Sequence, residues 1–326
     1  MKLPRRRQFL HLAAGAAALP AVSRFAWAQA YPARPVRIIV GFAAGGATDI
    51  FARMSGQWLS ERLGQSFVIE NRPGAGSNIA AEAVVRASPD GYTLLMVSSA
   101  NAINAALYDK LNFNLVQDIA PIAGINRATY VMAVNPSFPA KTVPEFIAYA
   151  KANQGKINMA SAGNGSTPHL AGELFKIMAG VNLIHVPYRG GGTALPDLLA
   201  GQVQVYFANM ASSIEHIRAG KLRALAVTTA ARSEALPEVP TVSEFVPGYE
   251  ASGWFGIAAP KSTSSEIVDK LNKQINEGLA DPKMKARLAD LGGVPMPMTP
   301  AEFGKFIVDE TEKWGKVIRT ANIKAD

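Results

Sequence analysis

One pattern of strands, glycines and helices is written twice in this chain, and it leaves few folds open. In the first copy the apolar run 36-VRIIVGF-42 leads into 43-AAGGATD-49 and a helix, then 67-FVIE-70, 71-NRPGAG-76, 79-IAAEAVV-85 and 93-TLLMV-97. In the second, 157-INMAS-161 leads into 162-AGNGSTPH-169 and a helix, then 183-LIHVPY-188, 189-RGGG-192, 194-ALPDLLA-200 and 203-VQVYF-207. Gly64 corresponds to Gly180, Arg72 to Arg189, and 90-DG-91 to 200-AG-201. Short apolar strands alternating with amphipathic helices predict an α/β protein with mainly parallel sheets. Two such βαβαβ copies predict two lobes. Right-handed connections then gather the loops at the carboxyl ends of the strands, where open α/β sheets bind ligands.

The 326 residues suit two domains of ordinary size. The strand-like segments 130-YVMAV-134 and 254-WFGIAA-259 flank the second copy, and the chain is expected to cross between lobes there. This gives residues 31–130 plus 254–326 as one lobe and 131–253 as the other, joined by strands that can act as a hinge. Ile50, Phe51, Met54 and Trp58 form one core-facing stripe, and Leu170, Leu174, Ile177 and Met178 another. The helical tail, 263–279 and 299–318, is expected to pack on the first lobe. Thr263 and Thr299 read as its N-caps, with Glu266 and Glu302 completing capping boxes.

The formal charge of +8 invites a nucleic-acid reading, but the first thirty residues undercut it. They hold Lys2, Arg5, Arg6, Arg7 and Arg24 and no acid, so residues 31–326 carry 28 Lys and Arg against 25 acids. The segment 5-RRRQFL-10, the short apolar run 12-LAAGAAALPAV-22 and the small-x-small site 28-AQA-30 resemble a twin-arginine export signal, with an ordinary secretory signal as the alternative. A protein cleaved after Ala30 and located in the periplasm follows. Pro20 breaks the run and makes it too short for a membrane span. The absence of cysteine excludes disulfides, thiol catalysis and thiolate metal sites.

The glycine loops have several chemistries to choose from. A phosphate loop needs Lys and Ser or Thr after its glycines, which 45-GGATD-49 lacks; 74-GAGSNI-79 lacks the third glycine of a dinucleotide fingerprint. Ser166 and His169 are near neighbours and offer a hydrolase alternative, but no orienting acid and no G-x-S-x-G elbow accompany them. His169 reads as packed or capping, His185 as structural and His216 as solvated, and scattered histidines without clustered carboxylates argue against a metal. Neither metal nor cofactor is expected. Binding without chemistry fits better: each loop places small residues before a helix, leaving backbone N–H groups and a positive dipole end for a carboxylate. Thr48, Ser166 and Thr167 add hydroxyls. Two sites facing across a cleft would hold a short diacid. Asp49 either caps its own helix, the favoured role, or meets a ligand ammonium. Arg72 and Arg189 can complement an anion or pair locally. Ser98, Asn101 and Asn209 follow the third strand of each copy and can line the cleft, with Phe42 and Tyr188 as walls.

These segments, together with 216-HIRAGKLRALAVTT-229, 238-EVPTVSE-244 and 248-GYEASGWFGIAAP-260, resemble the Bug/TctC-type periplasmic solute receptors from about Tyr31 to Ile323. The resemblance implies a type II periplasmic-binding-protein fold: two α/β lobes with a ligand cleft between them. It implies a small organic carboxylate as ligand, and integral-membrane subunits of a tripartite tricarboxylate-type transporter as partners. By position Phe42, Gly46, Ala47, Thr48 and Asp49 match the first ligand loop, and Gly165, Ser166 and Thr167 the second. The segment 207-FANM-210 departs from the family, which often has an acid before the Asn, and 98-SSANAIN-104 lies where the family varies. The reading is of a monomeric receptor, not an enzyme, that closes on its ligand. A receptor feeding a sensor instead of a transporter is the other binding alternative.

Overall fold

The computed structural model describes residues 31–108, 110–320 and 323–324; the export-signal reading for residues 1–30 lies outside them. The run VRIIV becomes β1 (Val36–Val40), with every residue buried except Arg37. It pairs in parallel with β2 (Phe67–Asn71) and β3 (Thr93–Ser98). β4 (Ile119–Ala128) then leads directly into β5 (Tyr130–Val134), the first strand of a second sheet. There β6 (Asn158–Ser161) pairs in parallel with β7 (Ile184–Pro187) and β8 (Val205–Asn209), while β9 (Arg223–Val227) flanks β5. The chain returns through β10 (Gly253–Pro260), and β11 (Gly293–Pro295) closes the edge. The two orders are β11-β4-β10-β3-β1-β2 and β7-β6-β8-β5-β9.

Each lobe thus holds a parallel trio, with β1 and β6 at its centre. Both sheets are mixed, where the sequence predicted mainly parallel ones. β10 runs antiparallel to β3 and β4, and β5 antiparallel to β8 and β9. The cause is the double crossing: a strand that enters a lobe from the other one runs against the strand it joins.

The helices are α1 (Ala47–Leu63), α2 (Asn78–Val85), α3 (Ser99–Leu107), α4 (Leu115–Asp118), α5 (Val143–Ala152), α6 (Thr167–Ala179), α7 (Gly191–Leu199) and α8 (Met210–Arg218), then α9 (Ser265–Ala280), α10 (Pro282–Asp290) and α11 (Pro300–Thr320) in the tail. Gly64 and Gly180 end α1 and α6 in the left-handed conformation, which costs glycine least. The buried faces differ from the predicted stripes. In α1 it is Phe51, Ala52, Ser55, Gly56 and Leu59 that are buried, with Ile50, Met54 and Trp58 only half-buried. In α6 Leu170, Ala171, Gly172 and Phe175 are buried, while Ile177 is 53% exposed. Close approach decides this: a Cβ on Gly172 would stand 2.1 Å from the Met159 sulfur, so the small face goes to the sheet and the large residues are displaced outward.

The tail packs on the first sheet through Val268, Leu271, Ile275 and Leu279 of α9 and Phe303 and Ile307 of α11. Thr299 and Glu302 form the expected capping box, Glu302 N–H donating to Thr299 Oγ1 at 3.2 Å and Thr299 N–H to Glu302 Oε2 at 2.8 Å. Thr263 does not cap; it donates to the Pro260 carbonyl at 2.8 Å, and Ser264 takes the N-cap position of α9. No described helix is long and apolar enough to cross a membrane.

Candidate functional site

The cleft is built from helix beginnings. β1 runs into α1, β3 into α3, β6 into α6, β7 into α7 and β8 into α8, and the first residues of all five helices meet at one cavity between the lobes. α1 contributes Gly46, Ala47 and Thr48; α3 contributes Ser98, Ser99 and Ala100. From the second lobe come Ser166, Thr167 and Pro168 of α6, Gly191 of α7, and Asn209 and Ser212 of α8. Phe42, Tyr130, Ala162, Tyr206 and Phe255 form the walls. Among the described residues, none that lines this cavity is charged. The positive ends of five helices supply its field instead. Its volume is about 40 Å³, room for roughly three water molecules at 10–15 Å³ each.

Most hydroxyls here are already committed. The Ser166 hydroxyl donates to the Gly163 carbonyl at 2.6 Å and accepts from His169 N–H at 3.4 Å, which shapes the loop and caps α6. Thr167 and Ser99 bond to each other at 2.7 Å across the cleft. Ser98 and Asn101 form a capping box on α3. Thr48, 6% exposed, makes no hydrogen bond through its side chain to the described residues. Asn209, 5% exposed, caps α8 by accepting from Ala211 N–H through Oδ1; its buried Nδ2 reaches no acceptor at hydrogen-bond distance among the described residues and acts only weakly on the Tyr130 phenol. An unmet amide donor in a cavity costs desolvation energy until an acceptor arrives. Tyr130 and Tyr206 are buried, which pushes both phenols up and keeps them neutral; at Tyr130 the side chains of Thr167, Asn209 and Ser99 pull the other way without cancelling burial.

Three sequence-predicted residues lie elsewhere. Asp49 is 3% exposed and lines neither this cavity nor its neighbour. Its carboxylate accepts from Gly45 N–H at 3.0 Å, Asn71 Nδ2 at 3.0 Å and Arg53 Nε and Nη2 at 2.9 Å each. Burial pushes its pKa up, but the bonds from Arg53, Gly45 and Asn71 together outweigh that and hold it below the usual carboxylate range. Asp49 is the internal brace of the loop that α1 begins from. Gly165, at φ +72, plays a similar part in the second loop: its N–H donates to His169 Nδ1, and a Cβ there would stand 1.8 Å from Asn104 Oδ1. His169 stacks on His185 with ring centres 4.1 Å apart, and His185 Nε2 meets Ser161 Oγ at 2.6 Å. Tyr188 lines an outer chamber; its hydroxyl donates to Asp197 Oδ2, and burial followed by that bond pushes the phenol up to about 12.

Sequence reading missed Ser99, Ala100, Tyr130, Ala162, Pro168, Gly191, Tyr206, Ser212 and Phe255. Gly191 carried a signal, since 189-RGGG-192 repeats the glycine loop before a helix. Tyr130 and Phe255 reach the cavity only because the crossing strands run through it. The lobes already touch here: Ala43 N–H donates to the Arg189 carbonyl at 3.0 Å, and a Cβ on Gly192 would lie 2.2 Å from the Ala44 carbonyl oxygen.

Residues 51–323 match the family described as tripartite tricarboxylate transporter family receptor. The chain belongs to that family. The family is one of periplasmic solute-binding receptors, not of enzymes. The receptor is 38% identical over 300 residues to Protein BugT of Bordetella pertussis, covering 91% of this chain and 92% of that one. Among solved structures, "R. palustris Rpa4515 with adipate" superposes with a TM-score of 0.88 at 37% identity, covering 90% of this chain and 99% of that one. "MatC (Rpa3494) from Rhodopseudomonas palustris with bound malate" gives a TM-score of 0.84 at 32% identity, covering 88% and 100%. The receptor therefore has the periplasmic-binding-protein fold, two α/β lobes with a cleft between them.

Proposed function

We propose that the receptor binds a small organic carboxylate in the cleft and hands it to a tripartite tricarboxylate-type membrane transporter. The observation that carries this is the convergence of five helix N-termini on a cavity that, among the described residues, has no charged side chain and no full hydrogen-bond acceptor for the buried Asn209 amide. Such a site suits an anion with several acceptor lone pairs. Phe42, Gly46, Ala47, Thr48, Ser98, Ser166, Thr167 and Asn209 contact the ligand in this reading, while Asp49 and Gly165 hold the loops. Two structural relatives described with adipate and malate support a carboxylate, and the family supports delivery to a transporter. Export to the periplasm with cleavage after Ala30 rests on the twin-arginine segment; Tyr31, the next residue, packs through its hydroxyl on the Gly91 carbonyl at 2.7 Å.

Calorimetric titration of the purified protein with succinate, malate, adipate, citrate and neutral sugars tests the ligand class. Stoichiometric binding of at least one acid and of no sugar is expected. Saturable sugar binding with no response to any acid would overturn the reading.

A further inference from the structure

Beside the inner cavity lies an outer chamber of about 330 Å³, lined by Gly41, the Gly74–Gly76 turn, Tyr108, the Ala162–Asn164 loop and 187-PYR-189. The two spaces share Phe42 and Ala162 as their common wall. Among the described residues, Arg189 is the one charged residue that lines either space. Its guanidinium has no hydrogen bond or ion pair with the described residues, whereas Arg72, its counterpart in the first lobe, is held by Glu70 at 2.7 Å. The Arg189 backbone is fixed by the cross-lobe bond from Ala43 N–H at 3.0 Å, so lobe contact itself sets where the side chain starts. Tyr188 beside it is tied to Asp197 and stands as a wall. Phe42 and Ala162, where the two spaces adjoin, are apolar, and Pro187 and the Tyr188 ring continue that surface in the outer chamber.

Volume decides what such a pair of spaces can take. The inner cavity holds roughly three waters' worth of ligand, enough for a carboxylate group and little more. A longer ligand that extends past Phe42 and Ala162 enters the outer chamber. Methylenes suit the apolar Phe42–Ala162 boundary, and an anionic end suits Arg189.

We propose that the outer chamber is a second anion subsite in which Arg189 receives the far carboxylate of a two-headed acid with an apolar spacer. Arg189 is then the residue that selects dicarboxylates over monocarboxylates. This rests on the carboxylate reading of the inner cavity and names the substrate class of that site.

The test is titration calorimetry of the wild-type protein and Arg189→Gln with the C4 to C8 α,ω-dicarboxylates and the monocarboxylates of equal length, adipate and hexanoate among them. In wild type the preferred diacid binds about tenfold tighter than its monoacid, the scale of one charge-assisted hydrogen bond at an exposed site. Arg189→Gln removes that advantage and leaves the monoacid affinity unchanged. Raising NaCl from 50 to 500 mM shrinks the advantage in wild type, because the guanidinium is exposed. A diacid preference that survives Arg189→Gln overturns the Arg189 subsite, as does equal binding of both series by wild type; in each case the inner-cavity reading stands. If no acid of either series binds wild type, it is the carboxylate reading that fails.

Discussion

At the scale of single residues, two buried polar groups do opposite jobs. Asp49 is fully satisfied by its own lobe and stabilises the loop; Asn209 keeps one donor unmet. Asp49→Asn removes the charge from a pair whose carboxylate side is 5% exposed, and about 2–3 kcal/mol of stability is expected to go with it. The pH dependence has a definite sign. Because the folded carboxyl titrates below its ordinary value, its contribution is present above the unfolded pKa and is lost as pH falls through the folded one. Thermal unfolding from pH 7 to pH 3 should therefore show a steeper acid loss in wild type than in Asp49→Asn. Asn209→Asp separates capping from binding, since Asp caps a helix as well as Asn does. The fold should survive, while a carboxylate ligand meets a like charge and loses about a hundredfold in affinity, the ~3 kcal/mol a buried mispaired charge costs. Unchanged affinity by calorimetry would place the ligand away from α8.

At the scale of elements, small residues are what let the lobes meet. Gly46 approaches Gly191 and Gly192 closely, and each glycine opens or precedes a helix. Gly192→Val would place a Cβ 2.2 Å from the Ala44 carbonyl oxygen, so the variant should fold with wild-type helicity yet fail to close. Ligand affinity is expected to fall at least tenfold with the melting temperature of the unliganded protein unchanged within a few degrees. The same rule explains why the predicted helix stripes were misplaced. Hydrophobic periodicity assigns the largest residues to the sheet, but α6 docks through Ala171 and Gly172 because its backbone lies against Met159. β4 was invisible for a related reason. Pro121 and Gly124 break its strand signal, and its pairing with β10 shifts register twice; the space beside Gly124 belongs to Met296.

At the scale of the molecule, the covalent paths between the sheets run through Thr129 and the segment from Val227 to Gly253, and α11 bridges as well, with Trp314 and Ile318 packed against Leu170 of the second lobe. A ligand that binds only the closed form adds its binding energy to stability. At a concentration of 100 Kd this is about 2.7 kcal/mol, or roughly 4 °C in melting temperature for a chain of this size. Small-angle scattering should show a smaller radius of gyration on adding the ligand, and no compaction in Gly192→Val.

The strand-glycine-helix pattern, written twice, determined the α/β class, the two lobes, the left-handed glycine stops and the helix starts that would face a ligand. These are local properties: backbone conformation, capping and burial period are set by residues a few positions apart. Only the tertiary structure decided which groups share the cleft. Tyr130, Tyr206 and Phe255 come to it on strands whose neighbours are distant in sequence, and whether a polar side chain is spent or spare depends on those neighbours. Asp49 and Arg72 are ion-paired within their own lobe, whereas the Asn209 Nδ2 and the Arg189 guanidinium have no hydrogen-bond partner among the described residues. That difference is a matter of packing, which no spacing of letters records.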